Sequence, residues 1–468
     1  MENTTLKRSV TRSAAIFLVI SAVVGSGVFK KIAPMAETLH SPVFILLCWA
    51  VAGLLSLAGA LCTAELASMM PGSGGEFVYF KRIYGRFFAF LYGWGNLTVM
   101  KSATVAALAY IFAQSFNALV PLPQTDFLSA GADHSAFAIK VLATLLVLFL
   151  SFINYRGVTF SANLSRYLII GIILVMIGFV FSALGSQKGE TAHFAPSTLA
   201  PTGWALFTAF FGASLSAFWG YEGWNNIGYL GEEVKEPQKN IPRALITGTL
   251  FVMFLYLAVN AAYLYVLPVQ DLAAINQEPS KIAAVEVAGV ITGPAGAIVL
   301  STLILLSTFN CTNTTILTSS RIFYAMSRDG LFLKSTGKIH HKYQTPFNAI
   351  LMQGVWALVL LWWGSFDQLT DLLIFAAFIF YAATALGVII MRVKSPEAPR
   401  PYKLNGYPFL PVIFALFCVS LVVVTVIQTP LQSLIGLLLI FSGVPVYWYY
   451  KQKKLFVPLE ERHVPPIN

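Results

Sequence analysis

The residues best suited to chemistry in this sequence are few, and they lie where charge and open backbone are costly. Val23-Val24-Gly25-Ser26-Gly27-Val28-Phe29 interrupts the first long apolar stretch, and Phe218-Trp219-Gly220-Tyr221-Glu222-Gly223-Trp224-Asn225-Asn226 interrupts the sixth. Each glycine costs a helix interior about 1 kcal/mol relative to alanine. In hydrocarbon the freed amides and carbonyls need partners, because lipid offers none. A break at that depth is tolerated where it is buried in protein or lines a polar cavity, and helix ends that meet there make a binding site. The competing reading is that these small residues let two helices pack closely. Lys101 in the third stretch and Glu222 in the sixth are the sharpest charges at membrane depth. Each costs about 2.5–3.5 kcal/mol on insertion scales, so each is expected to be paired or to face water.

The elements that hold these residues are helices in a bilayer. Of 468 residues 57% are hydrophobic and 11% charged, against about 25% charged in soluble chains. The mean hydropathy is +0.73. This composition predicts an all-α polytopic membrane protein. At about 20 residues per crossing, twelve transmembrane helices are predicted, near 13–36, 42–66, 86–118, 136–154, 162–184, 204–230, 243–267, 288–324, 346–364, 368–391, 408–428 and 432–450. The third and eighth are long enough to tilt or to project from the membrane. No loop is large enough for a soluble domain. Breaks in the first and sixth helices, each heading a group of five, point to a five-plus-five inverted repeat with its site near the midplane. The chain then divides into a tail over 1–12, a core over 13–391, two C-terminal helices over 408–450 and a tail over 451–468.

The net charge of +10 is a matter of topology rather than of nucleic-acid binding. Lys7, Arg8 and Arg12, Lys81, Arg82 and Arg86, Arg156 and Arg166, Lys235, Lys239 and Arg243, the run from Arg321 to Lys342, the run from Arg392 to Lys403 and the C-terminal tail all fall on one side. The positive-inside rule makes that side cytoplasmic, with both termini inside a cell membrane crossed many times. The N-terminal stretch is long and followed by further spans, so it reads as an uncleaved first helix.

Two other classes fit poorly. The histidines (His40, His134, His193, His340, His341, His463) all fall in predicted loops or the tail, which leaves no buried dyad or metal cluster for an intramembrane enzyme. No selectivity-filter motif or ring of charge suggests a channel. Cys48, Cys62, Cys311 and Cys418 lie in apolar segments without metal spacing. Neither a cofactor nor a metal is expected.

The motifs themselves resemble a known family. Val24-Gly25-Ser26-Gly27-Val28-Phe29 is similar to the first-helix signature of the amino acid–polyamine–organocation superfamily. Ala64-Glu65-Leu66 and Met70-Pro71-Gly72-Ser73-Gly74-Gly75-Glu76-Phe77-Val78-Tyr79 resemble its loop between helices two and three. Tyr221-Glu222-Gly223-Trp224-Asn225, Gly231-Glu232-Glu233-Val234-Lys235 and Asn240-Ile241-Pro242-Arg243-Ala244 resemble the L-type amino acid transporter family within it. So do Ser307-Thr308-Phe309 through Asn313, Leu317 to Ala325, Arg328-Asp329-Gly330 and Thr345-Pro346.

The resemblance implies a secondary transporter of L-α-amino acids, exchanger or uptake carrier, working by alternating access. The amides of Ser26 and Gly27, at a half-helix N-terminus, are expected to hold the substrate carboxylate, as helix dipoles favour. The carbonyls of Val23, Trp219 and Glu222 are expected to hold its ammonium. Val24, Gly25, Gly220, Tyr221, Gly223 and Asn313 complete the implied site. Trp219 stands where the family places an aromatic over the substrate, or else packs. Glu222 is expected to tune the pocket and to admit cationic amino acids beside neutral ones, with Lys101 adding positive charge near the route. The plain alternative is a structural pair.

The sequence departs from the family's pattern in two places. The fifth helix carries no lysine over Leu168 to Leu174 to stand in for sodium, and Ser307 and Thr308 offer hydroxyls either to sodium or to their own backbone. The loop from Phe116 to Ala136 lacks the cysteine that links animal members to a glycoprotein, so no disulfide-linked subunit is expected and a bacterial-type stand-alone carrier fits better. Glu232, Glu233, Arg321 and Arg328 follow the broken and eighth helices, either as an inside gate or as solvated loop charge. A carrier of another amine or of peptide-like substrates is the alternative function.

Overall fold

The computed structural model describes residues 6–123, 134–195, 198–278 and 281–452. Twelve helical spans follow in the predicted order: Arg12–Val23 with Gly27–Lys30 and Ile32–Leu39, Pro42–Met69, Arg86–Leu119, His134–Tyr155, Val158–Leu184, Gly203–Tyr221 with Trp224–Tyr229, Pro237–Val266, Pro294–Arg328, Phe347–Trp363, Phe366–Lys394, Phe409–Gln428, and Pro430–Phe441 with Gly443–Gln452. Ten are long and apolar enough to cross a membrane. The other two are the interrupted sixth and the 17-residue ninth. The predicted start of the eighth span near 288 falls instead in a separate helix, Ala283–Thr292, which Gly293 ends at a φ of 67°.

Local signals set the helix starts. The Thr11 hydroxyl accepts from the amide of Ala14, and Ser41 caps the second span beside Pro42 at its first turn. Ser365 and Gln368 form a reciprocal capping box on the tenth. Burial divides the spans into core and periphery. In the third, 89% of the membrane-length window is buried, against 33% in the fourth, fifth and eleventh. Lipid therefore meets those outer helices, and the third runs through the centre.

The packing repeats itself when each span is exchanged for the one five places later. The first packs on the seventh as the sixth packs on the second, and the third on the tenth as the eighth on the fifth. The second meets the seventh, the third the eighth and the fourth the ninth, each pair mapping onto itself. Five crossings separate partners, so the second group runs opposite to the first. This is the inverted five-plus-five arrangement that the two breaks implied.

The glycine-rich loop before Glu76 wedges the sixth span from one end. The amide of Gly74 donates to the carbonyl of Tyr229 at 3.0 Å, and a β-carbon on Gly231 would stand 2.5 Å from the carbonyl oxygen of Gly72. Only residues without side chains allow that approach. The loop thereby clamps the segment Trp224–Tyr229 just past the second break.

Candidate functional site

The first span stops at Val23 and restarts at Gly27, and its loose groups divide by polarity. The carbonyls are occupied: Cys311 Sγ meets Ala22 O at 3.1 Å and Tyr256 Oη donates to Val23 O at 3.0 Å. Ser307 Oγ reaches Val24 O at 3.0 Å and Gly25 O at 3.2 Å. Among the described residues, the amides of Gly25, Ser26, Gly27 and Val28 have no hydrogen-bond acceptor. A buried donor without an acceptor costs about 1–3 kcal/mol. Four such donors at a helix start have the polarity that suits an anion.

The sixth span breaks against the first. It ends at Tyr221, passes through Glu222, and turns at Gly223 with a φ of 107° into the short helix Trp224–Tyr229. A β-carbon on Gly27 would stand 2.4 Å from Gly220 Cα, and one on Gly223 would stand 2.4 Å from Ala22 O. The glycines bring the two breaks into contact, so close packing of the two spans occurs at the breaks themselves. Trp219 closes one wall, with Nε1 donating to Ser26 Oγ at 3.2 Å and its ring edge-on to Phe366 at 5.8 Å. The amide of Glu222 takes the Trp219 carbonyl at 3.3 Å, whereas the carbonyls of Tyr221 and Glu222 accept no hydrogen bond among the described residues. Where the two breaks touch, the first span thus leaves donors unsatisfied and the sixth leaves acceptors unsatisfied.

Between them lies a cavity of about 10 Å³, lined by Ala22, Val23, Gly25–Gly27, Thr104, Leu108, Trp219, Glu222 and Cys311. That is room for about one water, so the chain is closed around its centre.

Lys101 and Glu222 pair directly, Nζ to Oε1, at 2.8 Å with both side chains buried. Tyr381 Oη adds a bond to the same carboxylate oxygen at 3.4 Å, and Lys101 lies 5.7 Å from the centre of the Tyr229 ring. A π-helical turn, Asn96–Met100, immediately precedes Lys101. Such turns are frequent at functional positions, and no residue type in this one announces it. Farther along, Glu76 is 1% exposed and takes bonds from Asn225 Nδ2 at 2.9 Å and Tyr92 Oη at 3.4 Å. Burial pushes its carboxyl up to about 7, against weaker lowering by Asn225, its own backbone amide, Lys101 and Tyr92.

Asn313 is a correction. Its amide joins Asn154 Nδ2 at 2.9 Å and Ser165 Oγ at 3.0 Å, on the fourth and fifth spans. Cys311 faces the break, and two residues later the helix has turned by about 200°. Ser307 and Thr308 both bond backbone carbonyls, Thr308 those of Ile304 and Leu305 in its own helix. Tyr256, Thr104, Leu108 and Tyr381 are not singled out by the sequence, and Cys311 is marked there only as a cysteine in an apolar segment. A tyrosine or threonine far from a helix end in an apolar stretch is the signal that could have found Tyr256, Tyr381 and Thr104.

The acids of the loop after the sixth span pair with arginines of the eighth span. Arg321 Nε and Nη2 hold Glu233 at 2.8 and 3.3 Å with both side chains buried, and Arg328 meets Glu232 at 3.0 Å. Glu233 is also stapled through its backbone, which accepts from the amide of Val10 at 2.9 Å.

An inverted bundle with two apposed helix breaks at its centre defines a membrane transport protein rather than an enzyme. The amino acid permease family model matches residues 11–448, and the chain belongs to that family. It is 30% identical over 460 residues to the mouse b(0,+)-type amino acid transporter 1, covering 96% of this chain and 90% of that protein. It is 28% identical over 456 residues to the serine/threonine exchanger SteT of Bacillus subtilis, covering 97% and 99%. The human large neutral amino acids transporter small subunit 2 is 30% identical over 459 residues, covering 96% and 82%.

Proposed function

We propose that this chain carries small neutral L-α-amino acids across the cell membrane by alternating access, as a stand-alone exchanger. The observation that carries this reading is the division of polarity at the breaks: open amides at Gly25–Val28 face a carboxylate, and the open carbonyls of Tyr221 and Glu222 face an ammonium. A zwitterion satisfies both at once. The Lys101 charge offsets Glu222, so the carboxylate is not free to select a cationic side chain. Thr104, Leu108, Cys311 and Trp219 crowd the closed cavity of about 10 Å³, which supports a short side chain over a long one. This narrows the expected range to neutral substrates.

Both termini lie in the cytoplasm in this reading, which the distribution of lysine and arginine supports. Arg321–Glu233 then closes the cytoplasmic side, and Trp219 on Phe366 the outer side. All four cysteines are buried, which supports a carrier without a disulfide-linked subunit.

Counterflow of labelled alanine, serine, threonine, leucine and lysine into proteoliposomes tests the proposal, with and without sodium or a proton gradient. Saturable exchange of the small neutral substrates is expected. Lack of exchange with every α-amino acid overturns it, and equal exchange of lysine overturns the neutral preference.

A further inference from the structure

Away from the broken helices, four separate parts of the chain enclose a second cavity of about 480 Å³. Lys7 and Ser9 come from the N-terminal segment, Arg156 to Phe160 from the turn before the fifth span and that span's first residues, Glu233 from the loop after the sixth, and Lys342 to Gln344 from the stretch before the ninth. Three of the lining side chains are cations. The lining carboxylate, Glu233, is bound to Arg321. Among the described residues, Lys7, Arg156 and Lys342 have no carboxylate partner. Arg156 and Lys342 instead lie 6.0 and 5.6 Å from the centre of the Tyr343 ring. Converging unpaired cations repel one another, and an anion between them relieves that repulsion.

Two further features point to the kind of anion. The fifth span, 27 residues long, starts in the cavity wall at Gly157, and the amides of Val158, Thr159 and Phe160 have no acceptor among the described residues. Phosphate oxygens suit such a helix start. From the same wall an apolar stripe runs down the fifth span at seven-residue intervals: Phe160, Tyr167, Leu174 and Phe181, which are 59%, 72%, 64% and 70% exposed. Seven residues are nearly two helical turns, so these side chains share one face. A charged pocket at the head of an exposed apolar stripe has the layout of a phospholipid.

We propose that this cavity binds the phosphate of an anionic phospholipid, with its acyl chains along the Phe160–Tyr167 end of that stripe, the part within one leaflet. The bound headgroup joins the N-terminal segment to two loops of the scaffold. That segment is paired with the loop after the sixth span, Val10 N–H on Glu233 O and Lys235 N–H on Val10 O, both at 2.9 Å. The lipid therefore steadies the closed arrangement around Arg321–Glu233.

Native mass spectrometry of the full chain, exchanged from detergent into mixtures of phosphatidylglycerol and phosphatidylcholine, tests this. Preferential retention of phosphatidylglycerol is expected. The triple change Lys7→Gln, Arg156→Gln, Lys342→Gln is expected to lower that preference at least about ten-fold, since each basic residue near a lipid surface contributes to anionic-lipid binding. All three residues are exposed, so the core is untouched. Lys334→Gln with Lys338→Gln, outside the cavity, is expected to retain the preference. An unchanged preference in the triple variant overturns the proposal, as does an equal loss in the double variant. Full displacement of the lipid by millimolar inorganic phosphate or glycerol phosphate would assign the pocket to a soluble phosphate and overturn the lipid assignment.

Discussion

Gly27 and Gly220 meet at the crossing of the two broken spans, so closely that a β-carbon on Gly27 would stand 2.4 Å from the Gly220 α-carbon. The obstacle is main chain, which cannot rotate aside. Gly27→Ala must push the sixth span away and is expected to cost about 1–3 kcal/mol of stability, as overpacking does, and to abolish counterflow. Gly223→Ala adds a disfavoured φ of 107° to a clash with Ala22 O and is expected to be worse. Gly171→Ala in the fifth span meets nothing within 4 Å and is the matched control. It should leave transport intact and raise the melting temperature slightly, because alanine is the better helix former.

The Lys101–Glu222 pair is buried on both sides, so its two charges depend on each other. Removing one partner of a buried pair costs about 3–5 kcal/mol, whereas removing both is often far cheaper. Lys101→Met and Glu222→Gln are each expected to lower thermal stability sharply, and the double variant to recover much of the loss. A thermodynamic cycle on the melting curves checks this; additive losses would mean that the residues act independently. Exchange of neutral amino acids should return with stability in the double variant if the pair positions the second break rather than binding substrate.

The breaks were legible because closely spaced glycines, around a serine in the first span and an acid in the sixth, weaken an apolar helix at one place. Gly25, Gly27, Gly220, Glu222 and Gly223 each violate a rule that the surrounding residues obey. The partners that use those breaks were harder to see. Tyr256 reaches Val23 O from 233 positions away, and no local pattern records that contact. Asn313 was misplaced because a polar residue inside a span declares that it is buried, not which way it faces. In the eighth span Ser307 and Cys311 face the break while Asn313 faces the fourth and fifth spans. Charge posed the same problem at the loops, where Glu233 and Arg321 could have been solvated and are instead locked together.

Glu76 predicts a dependence on pH. Its carboxyl is raised from 4.5 to about 7, chiefly by burial. The folded state therefore binds more protons than the unfolded state between those values. The associated stabilisation is complete below about 4.5 and is lost as the pH rises through about 7. Its size is on the order of a few kcal/mol. Melting of the detergent-solubilised protein should fall in temperature from pH 5 to pH 8. Glu76→Gln keeps an acceptor for Asn225 and offers Tyr92 a donor in place of an acceptor, but it does not titrate, so its curve should be flatter. An equal slope in both proteins would place the pH dependence elsewhere.

In the proposed alternating access Arg321 and Glu233 close the route on the side of the N-terminal segment, and this contact separates when the carrier opens there. Both side chains are buried, and the second donor in the guanidinium fork makes the contact directional. Glu233→Gln keeps one hydrogen bond but removes the charge, leaving Arg321 buried without a counter-ion. That state favours an open vestibule, in which water solvates the guanidinium. Amide hydrogen exchange is expected to quicken in the segment from Tyr229 to Lys235 and around Val10, which is hydrogen-bonded to both Glu233 and Lys235. Exchange near the Trp219–Phe366 contact should stay as slow or become slower, because closing one side accompanies opening the other. Faster exchange at both ends would indicate general loosening rather than a gate, and unchanged exchange at Tyr229–Lys235 would show that the pair does not hold the route closed.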